Sequence, residues 1–262
     1  MGWYGTILVA RPGGEWLPAY PGVREAFGSR FGGLHDLGEG WQRVVVVPFY
    51  RERPRHAAGV GQLAAATGAP VIVAAVSESW CARVDACTPD GLAIAVHLPN
   101  LRKACPYEHR EGQPGPFVPR RVVAEFKAWA AAAGRSPDLA ALAAALDADW
   151  PGSAPMQNRV LALFAALGFP PGREIPPLID PHDDAFWAAR QLAFQADVRA
   201  ANRIAIMERG KIRGLARDLS PCELAYLRFS EQLEAAAYTG SPPRDELAAA
   251  CEKLASRWNA EP

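Results

Sequence analysis

The sequence predicts an α+β protein, with a mixed α/β sheet domain over residues 1–118 followed by an all-helical region over residues 119–262. Three observations carry that reading. Short β-branched runs alternate with helix-like segments as far as Leu98, and no such run follows it. Residues 100–119 gather prolines, glycines and alternating charges, the composition of a linker or a long loop. Beyond Pro119, apolar residues recur at helical spacing between recognisable start and stop signals.

In chain order, residues 4–10 (YGTILVA) form a strand stopped by Arg11-Pro12-Gly13-Gly14, and residues 42–47 (QRVVVV) form a second, stopped by Pro48. Both have the apolar continuity of buried strands. Residues 23–31 suit a short helix between them, with Gly32-Gly33 and Gly38-Glu39-Gly40 punctuating the connection. A small-residue helix over 56–67 ends at Gly68, which can take the left-handed conformation after a helix, and leads to a third strand over 70–76. Gly59-Val60-Gly61 lies inside that helix, and nothing completes it into a phosphate cradle. Residues 81–87 and 92–98 are antiparallel strands joined by the turn Thr88-Pro89-Asp90-Gly91. The order β-α-β-α-β-β-β permits parallel neighbours early and a meander late, with helices on one face as the economical arrangement.

Past the boundary, residues 120–133 form a helix ended by Gly134, and Ser136-Pro137-Asp138 supplies a cap and a first-turn proline to the next helix. Val160, Leu161, Phe164 and Leu167 mark a helix over 157–167 that Gly168 closes. Asp183 or Asp184 caps a long helix through Met207. Ser220-Pro221-Cys222-Glu223 is a capping box opening a helix to Tyr238, and Ser241-Pro242-Pro243 opens the last, where Leu247, Cys251, Leu254 and Trp258 share a side.

Composition narrows the function classes. The chain has 262 residues, 50% of them hydrophobic, with 28 basic against 28 acidic side chains. Neutrality argues against a nucleic-acid module and against a polybasic membrane anchor. No apolar run reaches the ~20 residues of a membrane span, and the start lacks the pattern of a secretory signal, so a cytoplasmic protein is expected. Five scattered cysteines suit reduced thiols. The phosphate-loop, dinucleotide, zincin, nucleophile-elbow and CxxC patterns are absent, so no catalytic residue, metal ligand or cofactor is assigned.

Several groups still bear chemistry. Asp180, His182, Asp183 and Asp184 have donors for a divalent ion, but aspartates at a helix start serve equally as caps, and that role is the expected one. Cys81 could act as a nucleophile with His97 or His109 as base, whereas its apolar alternation with Cys87 reads as a buried structural thiol. Arg209, Lys211, Arg213 and Arg217 suit a solvated helix end. Phe186, Trp187 and Phe194 read as core. Glu78, Ser79 and Trp80, at the end of the third strand, are the candidate binding residues together with Trp41: tryptophan offers large apolar area and the carboxylate offers charge selectivity. Trp3 and Trp16 would add to such a surface if exposed.

Through Gly40-Trp41-Gln42, Gly68-Ala69-Pro70-Val71, Ser77-Glu78-Ser79-Trp80-Cys81-Ala82 and Pro89-Asp90-Gly91, the first third resembles uncharacterised proteins of GC-rich bacteria, some similar to immunity proteins of toxin systems. Arginine outnumbers lysine 24 to 4, a bias in keeping with GC-rich coding. The resemblance implies a non-enzymatic protein-binding module that covers a toxin domain, and it supplies no catalytic residues. The neutral charge departs from the acidic character of inhibitors of cationic nucleases and points away from a nuclease target. The alternative is an enzyme with its site in a cleft between the α/β and helical parts, using His182, Asp183 and Asp184 or Glu78 and Cys81.

Overall fold

The computed structural model describes residues 3–48, 55–101, 105, 112–147, 154–208 and 220–258. The chain forms two compact units, one of Met1–Phe27, Phe31–Val47 and Pro54–Ile175, the other of Gly28–Arg30, Pro48–Arg53 and Pro176–Pro262. The division expected after residue 118 therefore falls inside the first unit, because the three helices that follow pack on the sheet.

In the first unit the elements run β1 (Gly5–Ala10), α1 (Pro21–Phe27), β2 (Arg30–Gly38), β3 (Trp41–Val47), α2 (His56–Thr67), β4 (Val71–Ser77), β5 (Cys81–Cys87), β6 (Ala93–Leu98), α3 (Pro119–Ala132), α4 (Leu139–Leu146), α5 (Met156–Ala166) and β7 (Arg173–Ile175). The sheet has seven strands in the order β6-β5-β4-β1-β3-β2-β7. Every strand pair with a described register is antiparallel. The long apolar runs fall at its centre, where β1 is buried along its whole length. Continuous burial needs cover on both faces, and the helices supply it.

On one face Ile7, Val9, Ile72, Ala74, Val84 and Val96 join Trp129, Leu142, Leu163 and Phe169 in a single core. On the other, α2 packs over β4 and β5, and Thr6 Oγ1 lies 2.8 Å from His56 Nε2 at its start. Helices thus flank the sheet on both sides rather than one. Gly59 belongs to this packing: a Cβ there would collide with Ala26 Cβ and stand 3.1 Å from Phe27 Cζ, so glycine lets α1 and α2 approach.

Three local expectations change. Residues 30–38 form a strand where a glycine-punctuated connection was expected, and the expected helix over 23–31 stops at Phe27. The turn Glu39-Gly40, with φ of 55° and 78°, sets β2 beside β3, so pairing overrides the poor strand propensity of Gly32 and Gly33. The three-residue β7 pairs with β2 and places a short strand within the region expected to be all-helical. Asp138, not Ser136, caps α4, its carboxylate accepting from the amides of Ala140 and Ala141 at 3.0 Å.

The second unit holds α6 (Asp184–Glu208), α7 (Pro221–Thr239) and α8 (Arg244–Trp258). Phe186, Tyr226, Leu227, Leu233 and Leu247 form its core. The capping box read at Ser220 operates. Ser220 Oγ accepts from the Glu223 amide at 3.1 Å while Glu223 Oε2 accepts from the Ser220 amide at 2.9 Å, and Gly240 (φ 69°) closes α7.

Candidate functional site

The β4–β5 connection has three residues, Glu78, Ser79 and Trp80, and opens with a tight turn. Glu78 and Ser79 both have positive φ, 53° and 59°, and the Trp80 amide donates to the Ser77 carbonyl at 3.1 Å. Paired left-handed residues match the twist of the flanking strands, and the position favours glycine or asparagine. Here glutamate and serine hold it, at a cost of about 1 kcal/mol or more each. The surroundings impose the geometry through Ser79. Its amide donates to the Trp3 carbonyl at 3.0 Å and its carbonyl accepts from the Met156 amide at 2.9 Å. Its hydroxyl oxygen accepts from the Trp3 amide at 2.9 Å and from Gln157 Nε2 at 3.0 Å. Beside this clamp Trp80 projects with 65% of its surface exposed, near the exposed Tyr4, whose hydroxyl donates to Glu78 Oε1 at 2.6 Å. The sheet thus delivers a tryptophan, a tyrosine and a carboxylate at one rigid edge.

Trp41 does not belong to that surface. It is fully buried, packed edge-on against Phe169 at 5.0 Å and tilted against Trp129 at 6.5 Å, with the Arg135 guanidinium 5.6 Å above its ring. Its alternation within β3 points it into the larger core, which corrects its assignment as a binding residue. Trp16 is exposed and Trp3 is half-buried.

A second constellation lies on the β5–β6 hairpin. Pairing of Arg83 with His97 places Cys81 diagonally beside His97 on the same face. That face opposes the large core formed by Ala82, Val84, Ala86, Ile94, Val96 and Leu98. The segment after β6 folds back over it. Asn100 exchanges two hydrogen bonds with the backbone of Phe117, at 2.9 and 3.0 Å, and Arg83 donates to the Gly112 carbonyl at 2.9 Å. This brings Cys105 Sγ to 3.5 Å from Cys81 Sγ. Donor atoms of Cys81, His97 and Cys105 all lie within 4.8 Å of one another.

Burial governs the electrostatics there. It pushes the Cys81 thiol well above the ordinary range, helped by the neighbouring Cys105, so Cys81 is held protonated and is unsuited to nucleophilic attack. Burial also lowers the His97 pKa, outweighing its hydrogen bond to Pro99, and favours neutral imidazole. Next to them Arg83 forms a bidentate pair with Asp85 at 2.8 and 2.9 Å.

The acidic group of the second unit serves its helix. Asp183 accepts from the Ala185 amide at 2.9 Å as the cap of α6 and from Arg244 at 2.6 Å, contacts that hold its carboxyl below the usual range. Asp184 is the first residue of α6, and Asp180 accepts from the His182 amide at 2.8 Å. Arg190 reaches His182 Nδ1 at 2.7 Å. Of the three aromatic residues read as core, only Phe186 is buried; Trp187 and Phe194 are exposed and line a pocket of about 310 Å³ with His182, Arg190 and Ser230. Their helical spacing reports a shared face but not whether another element covers it. His109 and the cluster Arg209, Lys211, Arg213 and Arg217 lie outside the described residues.

Sequence reasoning considered Cys81 and His97 only as nucleophile and base and passed over Cys105. Strands at 81–87 and 92–98 joined by a turn at 88–91 would pair Cys87 with Leu92 and set His97 on the face opposite Cys81; the observed register pairs Cys87 with Ala93 and Arg83 with His97, which brings Cys81 and His97 to one face. No family model matches the chain, and comparison with curated proteins and with solved structures gives no match.

Proposed function

We propose that the chain is a non-enzymatic protein-binding module that engages its partner through the β4–β5 turn, and that this partner is a bacterial toxin domain held inactive as immunity proteins hold theirs. The observation that carries the contact surface is Trp80, an exposed indole on a strained but well-fastened turn. A rigid aromatic anchor loses little conformational entropy on binding, and buried tryptophans dominate interface energies. Glu78 and Tyr4 beside it suit a partner that offers an apolar slot rimmed by a basic side chain. The toxin assignment rests on the resemblance carried by the segments around Trp41 and Trp80. We propose a cytoplasmic location, in keeping with five scattered cysteines that suit reduced thiols; among the described residues no helix is long and apolar enough to cross a membrane.

The enzyme alternative has less support, because Asp183 is committed to its cap and to Arg244, and Cys81 is held as a thiol. The test is titration of the purified chain against the toxin-like product of a neighbouring gene. Trp80→Ala should weaken binding by about 2 kcal/mol or more, roughly 30-fold, with an unchanged melting temperature. Equal affinities of parent and variant would sink the assignment of the surface.

A further inference from the structure

We propose that Cys81, His97 and Cys105 bind zinc, supplying three donors from among the described residues and fastening the chain at Cys105 to the sheet. The donors come from the first residue of β5, the penultimate residue of β6 and the crossover beyond it, so an ion would staple together parts of the chain that are distant in sequence. Two sulfurs and an imidazole nitrogen are a donor set that zinc favours and that magnesium or calcium does not.

The spacing suits the ion. Tetrahedral zinc with Zn–S bonds of about 2.3 Å separates two thiolate sulfurs by about 3.8 Å. Cys81 and Cys105 stand at 3.5 Å, close to that edge and far from the roughly 2.05 Å of a disulfide. His97 is already oriented. A carbonyl only accepts, so Nδ1 carries the proton donated to Pro99 O at 2.7 Å, which leaves the lone pair of the neutral ring on Nε2. A ligating histidine commonly has its other ring nitrogen held in this way.

Charge balance favours the bound state. Zn²⁺ displaces one proton from each thiol, two protons leave to solvent, and the resulting Zn(S⁻)₂ unit is neutral with no change of oxidation state. The adjacent Arg83 is matched by Asp85 at 2.8 Å, so its charge is already compensated. Both Cys81 and His97 are buried, at 2% and 1% exposure, where a neutral complex is far less costly than a lone thiolate. This site does not depend on the partner-binding reading.

The test uses the full-length chain without an affinity tag, purified under reducing conditions and reconstituted with Zn²⁺ or Co²⁺ alone. Elemental analysis should find one zinc per chain. The cobalt form should show thiolate-to-cobalt charge transfer with the visible bands of tetrahedral Co²⁺, and two of the five thiols should resist alkylation until a chelator is added. Cys105→Ser, on the covering segment, should abolish these signals while the melt stays cooperative, His97→Gln should weaken metal retention at least tenfold, and Cys87→Ser should keep the parent's metal. Zinc should raise the melting temperature of the parent but not of Cys105→Ser. A cobalt spectrum without charge transfer, parental zinc in Cys105→Ser, or a Cys81–Cys105 disulfide in freshly prepared protein would each overturn the site.

Discussion

On one face of the β5–β6 hairpin, Ala82, Val84, Ala86, Ile94, Val96 and Leu98 pack into the core that contains Trp129 and Phe169. On the other stand Cys81, Arg83, Asp85 and His97. The two faces differ in chemistry but hardly in dryness: Val84 and Val96 are 0% and 1% exposed, Asp85 and His97 5% and 1%. Alternation along a strand ordinarily separates a core face from a solvent face. Here α2 and described residues beyond β6 stand in place of solvent, Arg83 pairs with Asp85, and His97 pairs with the Pro99 carbonyl. Stability on the first face comes from apolar area, and on the second from completeness of pairing.

That contrast is broken or upheld most directly by large substitutions. Trp129 is fully buried and its indole nitrogen donates to the Cys87 carbonyl at 3.1 Å, so Trp129→Ala should cost about 3–5 kcal/mol in urea-melt free energy. Cys87→Ala, half-buried on the opposite face, should cost less than about 1 kcal/mol. Similar losses from the two would erase the distinction. The polar face has its own large effect. Asp85→Ala leaves the Arg83 guanidinium without its carboxylate in a site where the side chain is only 12% exposed, and a loss of about 3 kcal/mol follows. Replacing both partners, Arg83→Met with Asp85→Leu, should recover most of it. A double variant as unstable as Asp85→Ala would mean that the pair contributes more than mutual neutralisation.

The same contrast explains what the sequence disclosed. Apolar continuity in 4–10, 42–47 and 70–76 and the Thr88–Gly91 turn identified five of the seven strands, because burial and turn chemistry are local properties of the residues. Gly68 and Ser220 announced helix ends for the same reason. What escaped depends on distant partners. β2 exists because β3 and β7 flank it, despite Gly32 and Gly33. The helices α3 to α5 carry ordinary amphipathic faces, which say that a surface must be covered without saying which one. The Trp80 turn was legible in position and residue type, but the left-handed backbone of Glu78 and Ser79 was not. Trp41 was misplaced because a tryptophan near a turn looks the same in sequence whether it faces solvent or core. Cys105 became a neighbour of Cys81 only through the fold-back of a proline-rich segment that carries no periodic signal.

A smaller effect provides a reference outside both faces. Ser220→Ala removes half of the capping box of α7 in the second unit and should cost about 1 kcal/mol, leaving the metal content and the Trp80 interaction as in the parent. Overlaid urea melts of parent and variant would show that the box contributes nothing measurable.

The smallest predicted change has the opposite sign and tests whether the turn is kept for contact rather than for stability. Glu78 occupies a left-handed position that glycine would hold without steric cost, so Glu78→Gly removes strain worth about 1 kcal/mol or more while adding glycine's unfolded-state entropy of about 0.5–1 kcal/mol. The exposed hydrogen bond from Tyr4 is lost as well, and such bonds contribute little in water. Since Ser79 keeps its contacts to Trp3, Met156 and Gln157, the turn itself should persist. The variant should therefore melt at the parent's temperature or slightly above it, by no more than about 0.5 kcal/mol in free energy. Partner affinity should fall, and its dependence on salt should flatten as the carboxylate disappears. A turn selected for stability alone would have accepted glycine; a variant that is less stable yet binds with parental affinity and salt dependence would assign Glu78 to the fold and remove it from the contact surface.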